Sequence, residues 1–241
     1  MSVLLKSSQP CPVCPGKRSY AIWDDNTYCF RCGYKNRRSF VIREQQTDTK
    51  LKWTGKLPED SIWDISNIPK KYIAYLRKYF KDPPYQVKYS PSLDRLIFPV
   101  WYNGELKCYQ ARAVDREPKW LTCSPDYEWG KKHPYFSQGV DSKNWVIVED
   151  IVSAMIVGKV YPTISILGTT INQKLCNFLL RHGSKFIIWL DGDDTGVKAS
   201  KKLETYLSKG ATIKKVVSVT SDPKCFSSEM IEGLIQGWEM S

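Results

Sequence analysis

Two groups of residues in this 241-residue sequence have the type and spacing to do chemistry. The first is thiolate. Four of the eight cysteines form two tight pairs, Cys11-Pro-Val-Cys14 and Cys29-Phe-Arg-Cys32, with 14 residues between them. One C-x-x-C turn presents two thiolates, and two such knuckles complete a tetrahedron around Zn2+. A redox-active C-x-x-C needs one pair, not two. Four thiolates leave no open coordination position, so the zinc expected at Cys11, Cys14, Cys29 and Cys32 is structural. Pro12, Pro15 and Gly33 suit the turns. Cys108, Cys123, Cys176 and Cys225 stand alone and are expected as buried small hydrophobes.

The second group is carboxylate. Glu149 directly follows the apolar run Trp145–Val148, and Asp191 and Asp193 follow the run Phe186–Leu190 in Leu190-Asp191-Gly192-Asp193-Asp194-Thr195-Gly196. With both runs as parallel strands, the three acids lie outside strand carboxyl ends, where open α/β sheets bind ligands. Acids gathered there repel one another unless a divalent cation intervenes, and hard oxygen ligands suit Mg2+. A cation held in this way aligns a triphosphate and stabilises phosphoryl transfer. Gly192 and Gly196 keep the loop narrow enough for backbone to approach a phosphate.

The elements that must position these groups follow from the patterning. From Asn144 onward, strand-sized apolar runs (Trp145–Val148, Thr163–Leu167, Phe186–Leu190, Lys215–Val219) alternate with helical segments at Ser153–Val160, Ile171–Arg181 and Gly196–Ser208. Continuous apolar strands separated by helices predict a parallel sheet covered on both faces. Ahead of it, residues 53–140 are dense in aromatics and prolines, with strand-like runs at Leu96–Val100 and Leu106–Ala113 and a helical segment at Lys70–Phe80. The polar stretch from Arg43 to Lys50 lacks apolar periodicity and reads as a flexible linker. Between the knuckles, two strands are expected to turn at Asp24–Asn26. There Trp23 either packs on a small core or stacks on a base, and Asp24 and Asn26 either form a plain turn or bond base edges. Phe226–Ser241 reads as an amphipathic helix whose Met230, Ile231, Leu234, Ile235 and Trp238 pack on the rear module. The fold class is multidomain α+β: a zinc ribbon (residues 1–42), a linker (43–52), a mixed α+β basic subdomain (53–140), an α/β parallel-sheet domain (141–225) and a helical tail (226–241).

Composition narrows the function. The chain is 42% hydrophobic, enough for real cores, yet no run approaches the ~18 apolar residues of a membrane span. The N-terminus lacks the pattern of a secretory signal, so a cytoplasmic location is expected, in the host cytoplasm if the protein is viral. Net charge is +11, with residues 1–50 and 51–140 each at +5 and the remainder at +1. A basic front ahead of a near-neutral rear fits a polyanion partner presented to a chemical module.

Val148-Glu149, Leu167-Gly168-Thr169 and Leu190-Asp191-Gly192-Asp193 resemble the Toprim domain of bacterial-type DNA primases. Asp94-Arg95-Leu96-Ile97-Phe98-Pro99-Val100, Tyr109-Gln110-Ala111-Arg112 and Pro118-Lys119-Trp120-Leu121 resemble the basic subdomain before it, and the N-terminal ribbon completes the family's order. The whole is similar to the primase portion of short-tailed bacteriophage primase–helicases, without the helicase P-loop, which implies a separate helicase. The resemblance implies synthesis of short RNA primers from ribonucleoside triphosphates on single-stranded DNA, handed on to a DNA polymerase. It implies Glu149 as catalytic glutamate, either metal ligand or general acid/base. Asp191 and Asp193 match the metal-binding pair for two Mg or Mn ions, with Asp222 in a further acidic motif. Arg95, Arg112, Lys119 and either Lys131 or Lys132 match a ridge that grips template and nucleotide, while the ribbon reads a short template motif.

Three positions depart from the pattern: Asp150 stands where the family has Gly, Ser153 where it has Asp, and Lys224 where it has a second acid. A Toprim nuclease would use the same acids but has no need of the ribbon and the motifs at residues 95–121. A non-enzymatic zinc-ribbon protein binding single-stranded DNA would leave the strand-end acids unexplained.

Overall fold

The computed structural model describes residues 4–23, 26–37, 51–137, 142–217 and 221–240, in two compact units, Met1–Lys50 and Leu51–Ser241. The stretch read as a linker falls largely outside the described residues.

The first unit is one antiparallel sheet of β1 (Leu4–Gln9), β2 (Tyr20–Trp23), β3 (Asn26–Cys29) and β4 (Lys35–Arg37), in that order. Its core is small. Tyr20, Ala21 and Cys29 are buried, and the Tyr20 hydroxyl donates to Thr27 Oγ1 across the β2–β3 pair at 2.8 Å. Both knuckles are closed by backbone bonds, Cys11 N to Gly16 O and Gly33 N to Cys29 O, each 2.9 Å. Gly33 sits at φ +71°, the left-handed conformation that glycine adopts without strain.

The second unit begins with an antiparallel meander. After α1 (Lys70–Arg77) come β5 (Lys88–Ser90), β6 (Arg95–Tyr102), β7 (Glu105–Arg112) and β8 (Trp120–Cys123), paired in sequence. β9 (Tyr135–Phe136) follows and forms the antiparallel edge of a second sheet. That sheet has the order β13-β12-β10-β11-β9 and is otherwise parallel: β10 (Asn144–Val148), α2 (Ile151–Val157), β11 (Thr163–Ser165), α3 (Gln173–Leu180), β12 (Lys185–Ile188), α4 (Asp194–Leu207) and β13 (Thr212–Val216). A 3₁₀ turn at Pro223–Cys225 and α5 (Ser228–Met240) complete the unit.

Alternation along the strands explains the continuous apolar runs. Trp145 and Ile147 on β10, with Phe186 and Ile188 on β12, pack against α3 and α4. Val146, Val148, Ile187 and Trp189 face the opposite way, into a core shared with α1, α2, α5 and the meander residues Leu96, Phe98 and Val100. The meander's other face, Ile97, Tyr109, Ala111 and Cys123, is covered by Leu51, Trp53 and Leu57. Residues 53–137 and 142–217 thus share one hydrophobic core. Their common apolar layer fixes where the basic subdomain lies on the parallel sheet.

Several expected elements shift by a few residues, each for a local reason. α2 starts at Ile151, not Ser153, because Asp150 caps it: Oδ1 accepts from Val152 N at 2.9 Å and Ser153 N at 3.0 Å. Cys108, Cys123 and Cys176 are buried, whereas Cys225, the last residue of the 3₁₀ turn, is exposed. α5 buries Ile231 and Ile235, and Trp238 meets Trp189 edge-on at 5.1 Å, while Met230 remains exposed. No helix among the described residues is long and apolar enough to cross a membrane.

Because Ile231 is wholly buried in the shared core, Ile231→Ala is expected to destabilise the second unit by about 2–5 kcal/mol, read from urea unfolding followed by circular dichroism.

Candidate functional site

The carboxyl ends of the central strands β10 and β12 hold the acids. Glu149 follows β10, and its carbonyl accepts from Gly168 N (2.9 Å) and Ser165 Oγ (3.0 Å), which ties the loop after β11 to it. Asp191 follows β12 in the narrow turn into α4. A Cβ at Gly196 would lie 2.0 Å from the Asp191 carbonyl oxygen, so only glycine lets the first turn of α4 approach this closely. Asp193 caps that helix, its Oδ1 accepting from Gly196 N at 2.7 Å.

Glu149 Oε2 and Asp191 Oδ1 are both buried without a hydrogen-bond partner. Burial pushes the Glu149 carboxyl up to about 7, and the charges of Asp191, Asp193 and Asp150 add to the shift. Burial likewise raises Asp191 to about 6. Lys224 opposes that shift, and Asp150, Asp222 and Asp193 reinforce it. Orphaned, partly desolvated carboxylate oxygens of this kind suit a hard divalent cation, and Glu149, Asp191 and Asp193 are the residues that would hold one. Among the described residues no set of three carboxylate oxygens converges as tightly as the cysteine sulfurs do.

Sequence reasoning left one member out of this site. Lys224 Nζ pairs with Asp222 (2.8 Å), Asp150 (2.9 Å) and Asp191 (3.8 Å). Burial works against the ammonium, yet these carboxylates outweigh it and hold its pKa above the ordinary lysine range. Asp150 is itself fully engaged, since Oδ2 also accepts from Ser153 Oγ at 2.7 Å. The three departures from the expected pattern, Asp150, Ser153 and Lys224, are therefore one connected cluster, and their being out of pattern was the available signal.

The basic residues divide. Arg112 is half-buried with its guanidinium 5.2 Å from the ring centre of Tyr75 and 5.0 Å from that of Trp120, and its Nε has no partner. Burial raises Tyr75 to about 12; Arg112 opposes and Asp150 adds, so this stack borders the acidic cluster. Lys119 is exposed, 3.8 Å from Glu117. Of the neighbouring pair, Lys132 is half-buried, donates Nζ to the Leu167 carbonyl and feels the charge of Glu149, whereas Lys131 is exposed. Arg95 is 1% exposed and donates to the Pro118 carbonyl at 2.9 Å, an arrangement that braces β6 against the β7–β8 connection.

In the first unit the four cysteine Sγ atoms all lie within 4.8 Å of one another, with Cys11–Cys32 and Cys14–Cys29 each 3.8 Å apart. Four sulfurs about 2.3 Å from a tetrahedral centre have edges of about 3.8 Å, so the group fits zinc. The Ser19 hydroxyl, 3.4 Å from Cys29 Sγ, helps lower that thiol to about 6. Asp24 lies outside the described residues, and Trp23 and Asn26 end β2 and begin β3 at the expected turn.

Two tests follow. A carboxyl raised in the folded state binds its proton more tightly folded than unfolded, so stability falls as pH rises from the unfolded value near 4.5 to the folded value near 7. Without added divalent cation and with zinc retained, Glu149→Gln is therefore expected to melt like the parent at pH 4. At pH 8 it should be more stable by about 1–3 kcal/mol. Cys29→Ser is expected to cost the first unit its zinc, measured by metal analysis, and its amide protection in hydrogen exchange, while protection in the second unit is unchanged.

A Toprim-like family profile matches residues 147–224, which brackets Glu149, Asp191, Asp193 and Lys224. No curated protein matches the sequence. Among solved structures, the chain is similar to a DNA primase domain from Pseudomonas aeruginosa, with a TM-score of 0.53, 19% identity and 64% of this chain covered. It spans 53% of that domain's length. The zinc-binding and RNA polymerase domains of Aquifex aeolicus primase match with a TM-score of 0.51 and 16% identity, over 98% of this chain and 79% of that one. A DnaG primase catalytic domain solved bound to single-stranded DNA matches at 0.50 and 17% identity, over 68% of this chain and 61% of that one. At these identities the likeness is one of fold.

Proposed function

We propose that this chain is a DNA primase that joins ribonucleoside triphosphates into short RNA primers on single-stranded DNA. The observation that carries the reading is the set of partly desolvated acids at the ends of two adjacent parallel strands, inside a Toprim-like segment and beside a basic antiparallel module. Magnesium or manganese bound by Asp191, Asp193 and Glu149 would supply charge neutralisation for the triphosphate.

The chain's own residues do the rest. Arg112, fixed between Tyr75 and Trp120, holds a positive charge beside the acidic cluster for a phosphate. Lys132 places a second positive charge beside Glu149, and exposed Lys119 and Lys131 extend the track along which template lies. The primer's 3′-oxygen attacks the α-phosphorus, the bond to the β-phosphate oxygen breaks, and pyrophosphate leaves. Glu149 either completes the cation's ligand set or accepts the 3′-hydroxyl proton. A Glu149→Gln variant that binds Mn2+ normally yet makes no primer assigns it the second role. The ribbon, through Trp23, Asp24 and Asn26, reads a short template motif and delivers it to this site. Completed primers pass to a DNA polymerase, with a separate helicase exposing the template.

The test is incubation of the protein with randomised single-stranded DNA, four ribonucleotides (one labelled) and Mg2+. A ladder of short template-dependent RNAs is expected. Asp191→Ala and Asp193→Ala should each lower synthesis at least a hundredfold, to roughly the level that loss of a key transition-state contact produces, while single-stranded DNA binding by gel shift is kept. Shortened template without RNA would instead mark a nuclease, and neither product would mark a binding protein.

A further inference from the structure

The acidic site already contains a cation of its own. The Lys224 side chain is 16% exposed and has three N–H donors, and its Nζ lies within 4 Å of carboxylate oxygens of Asp222, Asp150 and Asp191. Its position is set by backbone. Pro223 is buried, the 3₁₀ turn Pro223–Cys225 closes with Cys225 N donating to Asp222 O at 2.9 Å, and Asp150 is locked as the cap of α2. Two divalent cations in a phosphoryl-transfer site stand about 3.5–4 Å apart, close enough for the two oxygens of one carboxylate to serve one each. At Asp191 the two oxygens are already divided. Oδ2 is 3.8 Å from the ammonium, and Oδ1, like Glu149 Oε2, is buried with no partner.

We propose that the Lys224 ammonium occupies the place of a second divalent cation, so that the site takes up one Mg2+-class ion, at Glu149, Asp191 and Asp193, instead of two. A doubly charged ion entering between Asp222, Asp150 and Asp191 Oδ2 would have to displace a half-buried ammonium or lie against it, and the repulsion between like charges in a partly desolvated site is large. The two residues support each other: Lys224 brings a positive charge among the carboxylates, and Asp150 supplies the counter-charge that holds it. The proposal rests on reading the acids as a cation site, which the primase assignment shares.

The experiment counts ions. The full chain, with zinc loaded in the ribbon, is titrated with Mn2+ and the free ion is followed by electron paramagnetic resonance, with Asp191→Asn giving the background. The parent should bind one Mn2+ above that background, Lys224→Arg one, and Lys224→Met two. Two ions bound by the parent overturn the proposal, and so does a Lys224→Met variant that folds and still binds one. Should Lys224→Met fail to fold, the parent's count decides alone. In thermal melts without Mn2+ the Met variant should unfold at a lower temperature than the parent, and saturating Mn2+ should close the gap. A gap that Mn2+ leaves open marks Lys224 as a structural ion pair only. Primer synthesis plays no part in the count, so a chain that makes no RNA would sink the primase reading and leave this result standing.

Discussion

A parallel sheet buried on both faces forces its polar chemistry to the strand ends, and the rest of this structure depends on that constraint. From Trp145 to Val148 on β10 and from Phe186 to Ile188 on β12 every side chain enters one core or the other, Trp145 and Phe186 on one side, Val146 and Ile187 on the opposite one. Beyond the first residue of each strand, half-buried Asn144 and exposed Lys185, no position is open to a charged group. The chain can place carboxylates only where each strand stops, and it does so at Glu149 and Asp191 on adjacent strands. Burial thus stabilises the sheet and also brings together, at its edge, acids that repel one another.

That repulsion shapes what surrounds them. Raised proton affinities at Glu149 and Asp191 show the cost of the arrangement without a cation. Part of the charge is offset from within the chain, by Lys224 among Asp150, Asp191 and Asp222. The remainder, at the unpartnered oxygens of Glu149 and Asp191, is what an incoming cation would satisfy. The elements around this edge are anchored separately, α2 by its Asp150 cap and α5 by Ile231, Ile235 and the Trp189–Trp238 contact.

The meander contributes charge of the other sign at the border of the same edge. Its inner face shares a core with the parallel sheet, which is why Arg112 and Tyr75 border Asp150, although α1 and β7 are distant from α2 in sequence. Arg95 and Arg112 illustrate how alike residues on neighbouring strands take different duties. Arg95 points its guanidinium into backbone carbonyls of its own sheet, while Arg112 is sandwiched between rings with a donor left over. Type and spacing alone do not separate them.

The sequence by itself determined the thiolate cluster, the alternation of strands and helices from Asn144 onward, and the strand-end placement of Glu149, Asp191 and Asp193. Each of these is a local property: two knuckles carry their own turn chemistry, and continuous apolar runs broken by helical periods admit little but a doubly covered parallel sheet. Element ends moved where a single capping side chain decides them, as Asp150 does for α2. Tertiary structure alone decided three further matters: which of Lys131 and Lys132 approaches Glu149, that Arg95 is framework, and that Asp150, Ser153 and Lys224 form one cluster. These depend on contacts between residues up to 74 positions apart, whose energy comes from burial and charge in a shared space that no local pattern encodes.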